Sequence, residues 1–345
     1  MKYYAGIDVS LEYSSLCLMD GDGRIVHEAK VLSEPDALIE WFAAQGLVME
    51  RIGLEAGPLS QWLHVAMTDA GLATELIETR HVRAAFKTMP VKTDRKDARG
   101  IAQLMRLGWF RPVHCKSLPA QEIRAVLMAR KILQTKLHDL DMSLRGILRG
   151  FGLKVGPTTP RTFASRIREL VEGHPTLEAI AASLLKARDM LAKEFAGFER
   201  RLRAMARENG DARRLMSVPG VGVVVAMTFV AAIDVPERFR SSRDVGPHFG
   251  LTPKKYQSGQ TDRSGRISKI GDVGVRTALY EAANVIMSRP VKGSDLKSWA
   301  LAVSKRSGPR KARVALARKL AVVLHHMLRE GTTFMAYKAK PSMAA

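Results

Sequence analysis

Four carboxylates in this chain stand where local structure can aim them at one point. Asp8 closes a short apolar run in Gly6-Ile7-Asp8, and Glu55 closes another in Gly53-Leu54-Glu55-Ala56-Gly57. Asp94 and Asp97 are three apart in Thr93-Asp94-Arg95-Lys96-Asp97-Ala98, a spacing that puts both on one face of a helix start. Left unneutralised, four converging acids raise one another's pKa. Two Mg²⁺ (or Mn²⁺) ions roughly 4 Å apart would relieve that repulsion and clamp the attacking and leaving oxygens of a phosphoryl transfer. Each acid also has a plainer use. Asp94 and Asp97 are favourable charges at a helix N-terminus, and Asp8 can open a turn.

A second constellation lies far downstream, in Tyr256-Gln257-Ser258-Gly259. A Ser-Gly pair there reads as a turn, and no His or Asp stands beside Ser258 as an evident base. Lys254, Lys255, Arg263, Arg266, Lys269 and Arg276 flank it, a set suited to phosphates. Upstream, Val218-Pro219-Gly220-Val221-Gly222 has the look of a helix-hairpin-helix. The backbone N–H groups around Gly220 and Gly222 would then face a phosphate oxygen. A tight turn that needs glycine for space fits equally well. His325-His326 lacks metal-ligand spacing and reads as packing or surface. The helix carrying Arg310, Lys311, Arg313, Arg318 and Lys319 reads first as a solvated face and next as an RNA or DNA contact.

The elements needed to position these groups are legible. The chain has 345 residues, 46% of them hydrophobic, with 55 Lys/Arg against 34 Asp/Glu, a net charge of +21. That composition excludes a disordered chain and favours a nucleic-acid partner. Cys17 and Cys115 are too few for a disulfide scaffold and fit a reducing compartment. No run of 18 apolar residues and no signal peptide is evident, so we expect a soluble cytoplasmic protein with no membrane partner. Charge is uneven. Residues 1–60 carry four basic side chains against ten acidic, a net of −6, while 251–320 hold sixteen basic against four acidic. An acidic N-terminal part facing polyanionic DNA calls for a neutralising cation.

Strands are expected at Tyr3–Asp8, Ser14–Met19 and Arg24–Val31, with Asp20-Gly21-Asp22-Gly23 as the hairpin turn. A helix over Glu34–Gln45, a strand over Arg51–Glu55, a helix capped by Ser60, a strand near Thr74–Ile77 and a helix from Asp94 to Gly108 follow. This alternation predicts an α/β domain over residues 1–115. Over residues 116–210, Val126, Leu133, Leu137, Leu140, Leu144 and Ile147 repeat at 3–4 spacing, interrupted at Arg130. Leu177 to Met205 keep the same period, so a coiled coil is expected, within one chain or between two. Residues 211–345 read as a helical, glycine-punctuated domain, with a last basic helix over about 310–330.

The acidic motifs resemble the Asp-Glu-Asp-Asp core of the DEDD insertion-sequence transposases. This is the IS-one-ten family of bridge-RNA-guided serine recombinases, kin of the pilin-inversion recombinase. The resemblance implies a RuvC-like, ribonuclease-H-type fold for residues 1–115, with Asp8, Glu55, Asp94 and Asp97 as metal ligands. Tyr256 to Gly259, Arg263, Gly265 to Lys269 and Gly271 to Arg276 are similar to that family's C-terminal domain. There the serine of the Ser-Gly pair is the DNA nucleophile, which implies that Ser258 forms a covalent phosphoserine intermediate. The resemblance further implies double-stranded DNA as substrate, a structured guide RNA, and a homodimer or homotetramer whose subunits share a composite site. Gly246-Pro247-His248-Phe249 departs from the plainer apolar helix of relatives. Other readings of the residues are a RuvC-like structure-specific nuclease that uses water, and a non-catalytic nucleic-acid-binding protein. A sugar-kinase or actin-like ATPase would share the Gly-Ile-Asp opening, but no phosphate-binding glycine loop follows the first hairpin.

Overall fold

A computed structural model describes residues 2–80, 82, 93–290 and 293–337. The chain divides into two compact units, Met1–Lys116 and Ser117–Ala345. The first contains β1 (Tyr3–Asp8), β2 (Tyr13–Asp20), β3 (Ile25–Leu32), α1 (Pro35–Ala44), β4 (Met49–Glu55), α2 (Ser60–Asp69), β5 (Thr74–Ile77) and α3 (Asp94–Leu107). Its strands form one mixed sheet in the order β3-β2-β1-β4-β5. β1 runs antiparallel to β2 and parallel to β4, so it sits at the centre. The centre is where an apolar run buried on both faces belongs, and Tyr4 to Ile7 are all buried. The first turn forms as expected: Asp20 Oδ1 accepts from the N–H groups of Asp22 and Arg24, both at 2.9 Å, and Gly23 takes φ 86°.

Helix α3 lies on this sheet at unusually short range. It starts at Thr93, whose side chain accepts from Lys96 N–H, and stops at Gly108 in the left-handed region. Gly6 and Gly53 are register partners on β1 and β4. A Cβ on Gly6 would stand 2.2 Å from the Ala98 carbonyl oxygen and 2.3 Å from the Ala102 nitrogen. A Cβ on Gly53 would stand 2.8 Å from side-chain carbons of both Ile101 and Met105. The helix runs antiparallel to β1. Its far end is tied at the opposite end of the strands, where Arg106 donates to the Gly21 carbonyl at 3.2 Å and Arg51 donates to the Met105 carbonyl at 2.9 Å. Near its start, Arg95 and Arg99 both donate to Glu28 of β3. Those bonds, from Arg99 first and Arg95 second, hold the Glu28 carboxyl down at about 2.

One local expectation is corrected. Ser60 does not cap α2; Leu59 holds that position, without a side-chain cap. The Ser60 hydroxyl instead donates to the Glu55 carbonyl at 2.6 Å and accepts from Gly57 N–H at 3.1 Å. It fixes the loop after β4.

The second unit holds α4 (Leu118–Gly150), α5 (Phe163–Val171), α6 (Pro175–Glu208), α7 (Gly210–Leu215), α8 (Val223–Ile233), α9 (Val245–His248), β6 (Pro253–Ser258), β7 (Thr261–Ile267), α10 (Val273–Ser288), α11 (Asp295–Ser307) and α12 (Pro309–Glu330). The long helices α4 and α6 pack on each other within one chain. The break in the seam at Arg130 is explained: its guanidinium donates to Glu199 and stands 5.1 Å from the Phe195 ring. Ile123, Leu202 and Ala206 share one core with α7, α8, α10 and α12, and the long helices and the C-terminal helices lie in one compact unit. His325 packs in that core, donating to the Pro236 carbonyl and accepting from Ser242. The Gly246-Pro247 departure forms a single turn, α9. A second correction concerns 253–267, read above within a helical domain: they form an antiparallel hairpin, with Ser258 paired to Thr261 across Gly259-Gln260 and Gly259 at φ 54°. Both arms are exposed and polar, with no apolar stripe at helical spacing, and Gly259 at a positive-φ turn position joins them as a surface hairpin.

The close approach predicts that Gly6→Ala destabilises the N-terminal unit by on the order of 3 kcal/mol. Gly146→Ala, in open space on α4, is neutral or stabilising by up to about 1 kcal/mol. Urea denaturation of the two variants checks this; an equal response would contradict it. Glu28 has a folded pKa below its unfolded value, so its contribution is complete above about pH 4.5 and is lost as pH falls toward 2. Glu28→Gln therefore loses on the order of 1 kcal/mol at neutral pH. The gap from wild type closes on acidification, as melts across that pH range would show.

Candidate active site and nucleic-acid interface

In the parallel pair β1–β4, Ile7 is opposite Leu54, which brings Asp8 and Glu55 out side by side at the same strand ends. Side chains alternate along a strand, so Asp8 shares a face with Gly6, and Glu55 with Gly53. That is the face α3 covers. Both acids line a cavity of about 410 Å³ bounded by Val9 to Leu11, by the 56–60 loop and by Thr79. The loop is held rigidly: besides the Ser60 bonds, Thr79 donates to the Ala56 carbonyl at 3.0 Å and Ala56 N–H donates to the Ile77 carbonyl at 3.0 Å.

Asp94 and Asp97 stand in the first turn of α3, Asp94 exposed and Asp97 partly buried. Because Ala98 lies over Gly6 and α3 is antiparallel to β1, that turn is at the Asp8 end of the strand. The structure thus brings all four acids to one end of one sheet face. It pairs Asp8 with Glu55 closely, and among the described residues it forms no group of three or more His, Cys, Asp or Glu able to hold a metal ion. Mg²⁺ is commonly held by one or two carboxylates together with substrate phosphate oxygens, and the Asp8–Glu55 pair is a hard-oxygen donor set of that kind.

Ser258 ends β6 at the exposed tip of the hairpin. Cross-strand pairing puts Tyr256, Arg263 and Thr261 on its face. Lys255 and Gln257 lie on the other face and both bond Asp262, at 3.4 and 3.0 Å. Lys254 is also on the exposed β6, Arg266 is on β7, and Lys269 follows it at φ 56°.

Two residues expected to meet phosphate have structural duties. Arg276 Nη1 donates to three carbonyls, those of Ile270, Gly271 and Phe249, at 2.8, 2.9 and 3.1 Å. It ties the end of the hairpin to α10. Gly220, at φ 86°, packs on α10, where a Cβ would stand 2.9 Å from an Ile286 carbon and 3.0 Å from the Ala282 carbonyl. That is the packing use of glycine. Gly222 differs: nothing lies within 4 Å of the place its Cβ would occupy, and it precedes α8 with no side-chain cap. Nearby, Asp272 caps α10 through Val275 N–H and accepts from Arg124 at 2.8 Å. Burial pushes its carboxyl up, but the Arg124 and backbone bonds outweigh that and hold it below the usual carboxylate range.

The sequence reading passed over Gly6 and Gly53 as positioning residues. Their signal is a glycine two residues before each acid, on the face that must receive a helix.

Two family models match the chain in order: a transposase model over residues 5–152, and that of the transposase IS116/IS110/IS902 family over residues 212–297. The transposase for insertion sequence element IS1111A of Coxiella burnetii is 28% identical, across 95% of this chain and 90% of its own. A probable family 20 transposase of Pseudomonas aeruginosa is 27% identical, across 82% and 85%. The transposase for insertion sequence element IS1328 of Yersinia enterocolitica is 27% identical, across 78% and 80%. Among solved structures, T. thermophilus RuvC in complex with Holliday junction substrate matches 33% of this chain and 100% of its own, at 17% identity. The TM-score of that match is 0.26. With both models in register along its length and relatives of one kind spanning nearly all of it, the chain belongs to the IS110 family of insertion-sequence transposases.

Proposed function

We infer that this protein cuts and rejoins double-stranded DNA as the transposase of an insertion sequence, through a covalent phosphoserine intermediate on Ser258. The observation that carries the reading is the Asp8–Glu55 pair, delivered by register-matched parallel strands to one cavity below the start of α3. The sheet order β3-β2-β1-β4-β5, with acids at the ends of β1 and β4, supports the RuvC-like, ribonuclease-H-type assignment. The net charge of +21 supports a polyanionic substrate.

In this reading Asp8 and Glu55 hold a divalent cation, with Asp94 and Asp97 completing the acidic set once substrate is present. Magnesium, when bound, supplies Lewis-acid stabilisation of charge on the phosphate oxygens. The acids by themselves would repel DNA, so they act only as part of that neutralised set. The Ser258 hydroxyl attacks the scissile phosphorus and loses its proton. The bond from phosphorus to the leaving strand breaks, and that strand departs as a hydroxyl. The phosphoserine ester conserves the phosphodiester, so attack by another strand hydroxyl restores a DNA linkage and frees Ser258 without ATP. Arg263, on the face of Ser258, neutralises the phosphate, and Lys254 and Lys269 bind flanking backbone. The family resemblance supports a structured guide RNA and a homodimer or homotetramer. It also supports coiled-coil contacts between copies, for which α4 and α6 expose Met128, Ile132 and Met190. The working compartment is the bacterial cytoplasm.

A denaturing gel tests this, with the protein expressed alongside the element's flanking DNA and its non-coding RNA. Wild type is expected to give a nuclease-sensitive protein–DNA adduct, and Ser258→Ala and Asp8→Asn none. Each loses at least about 100-fold in product, the scale of removing a nucleophile or an essential charged group. Cleavage that survives Ser258→Ala without an adduct would leave a water-using nuclease of the RuvC kind. Binding without cleavage in any form would leave a non-catalytic nucleic-acid-binding protein.

A further inference from the structure

A groove of about 980 Å³ opens between β7 and the helices α11 and α12, within the second unit. Its floor is apolar, built from Leu251, Ile267, Val314 and Val322, with Trp299 at one side. Its rim carries Arg266, Arg310, Lys311, Arg318 and Lys319, and no lining residue is acidic. Lys319 Nζ stands 4.2 Å from the centroid of the Trp299 ring.

This combination restricts the occupant. Five cations around one opening repel each other and select a polyanion. An apolar floor with an aromatic side wall selects something with a flat unsolvated face. A nucleotide supplies both, its base against Trp299 and its backbone on the rim. A DNA duplex keeps its bases stacked inside and would reach the rim alone, so the occupant must have an unstacked base. The chain's own last residues, 338–345, contain Lys338 and Lys340 and no acid, and share the sign of the groove.

The position of the groove selects the strand. Ser258 is paired with Thr261 at the hairpin tip, and Ser264 to Ile267, three to six residues further along β7, line the groove. At about 3.3 Å per residue that is roughly 10–20 Å. A DNA strand with its phosphate at Ser258 would run down the hairpin directly into it. We propose that this groove binds an unstacked base of the DNA strand being cut, stacked on Trp299, with Arg310 and Arg318 on the flanking phosphates. The assignment of the strand rests on the reading of Ser258 as nucleophile.

The test uses the full-length chain and fluorescence anisotropy with a labelled single-stranded DNA, the matching duplex and the same sequence as RNA. Arg310→Ala/Arg318→Ala is expected to weaken single-stranded DNA about tenfold or more and to reduce the salt slope by about 1.4. Duplex binding changes less than about threefold, since other basic faces serve it. Single-stranded DNA quenches tryptophan fluorescence in wild type, and Trp299→Phe removes most of that quench while keeping the affinity within a few-fold. Thermal melts of both variants confirm folding. Equal losses on single strand and duplex would overturn the proposal in favour of a general cationic face. Tighter binding of RNA, with the same loss, would overturn it in favour of an RNA site. A change of oligomeric state without loss of DNA binding would overturn it in favour of a protein partner. Ser258→Ala is expected to keep the binding and the quench while abolishing the adduct, so failure of the nucleophile and failure of the groove are separate results.

Discussion

The backbone of α3 touching the sheet at Gly6 and Gly53 is the contact on which the N-terminal unit turns. The two glycines face each other in register, and a single Cβ at either would collide with backbone or buried side chains of the helix at under 3 Å. Interiors at that density do not yield smoothly, so the helix is fixed in height and direction rather than merely adsorbed. The placement of the four acids follows from that geometry. Two residues on from each glycine, on the same face, stand Asp8 and Glu55. At the end of the helix that points the same way stand Asp94 and Asp97. The Glu28 bonds to Arg95 and Arg99 add a directional tie, which prevents α3 from rotating about the glycine contact.

The second unit is built on the opposite plan. Its helices share one broad apolar core, and the hairpin that carries Ser258 stands out from it, exposed along nearly its whole length. Its root is held by interactions that leave the tip unburdened: the three carbonyls gathered by Arg276, and the close passage of Gly250 against the backbone of Ile270. A rigid acidic cavity and a projecting hydroxyl are different demands. The first needs dense packing and the second needs access. Placing them on separate units lets each be met without compromise.

Much of this was legible in the residues because the strand signals are local. Tyr3–Asp8 and Thr74–Ile77 match their expected bounds, and α3 begins at Asp94 and stops at Gly108 as the capping residues dictate. Asp8 and Glu55 were legible because each ends an apolar run, and Asp94 and Asp97 because they stand three apart at a helix start. The contacts that hold them were not, since a collision between Gly6 and Ala98 joins residues ninety positions apart and leaves no local pattern. The 253–267 hairpin was missed for another reason. It lies on the surface, so it lacks the apolar alternation that marks a half-buried strand, and its Ser-Gly turn signal alone does not reveal the two arms beside it. Arg276 and Gly220 show the converse: near a proposed phosphate site, this cation and this glycine are engaged by the protein's own α10 and neighbouring backbone.

The most direct measurement is the identity of the amino acid joined to DNA. Trypsin releases the hairpin tip as one peptide, Tyr256–Arg263, which contains three hydroxyls, those of Tyr256, Ser258 and Thr261. Tandem mass spectrometry of the nucleotide-bearing peptide from trapped adduct distinguishes them. The phosphonucleotide is expected on Ser258 in wild type, with no modified peptide from Asp8→Asn or Glu55→Gln. A linkage to Tyr256, to Thr261 or outside this peptide, or DNA cleavage with the peptide unmodified throughout, would contradict it.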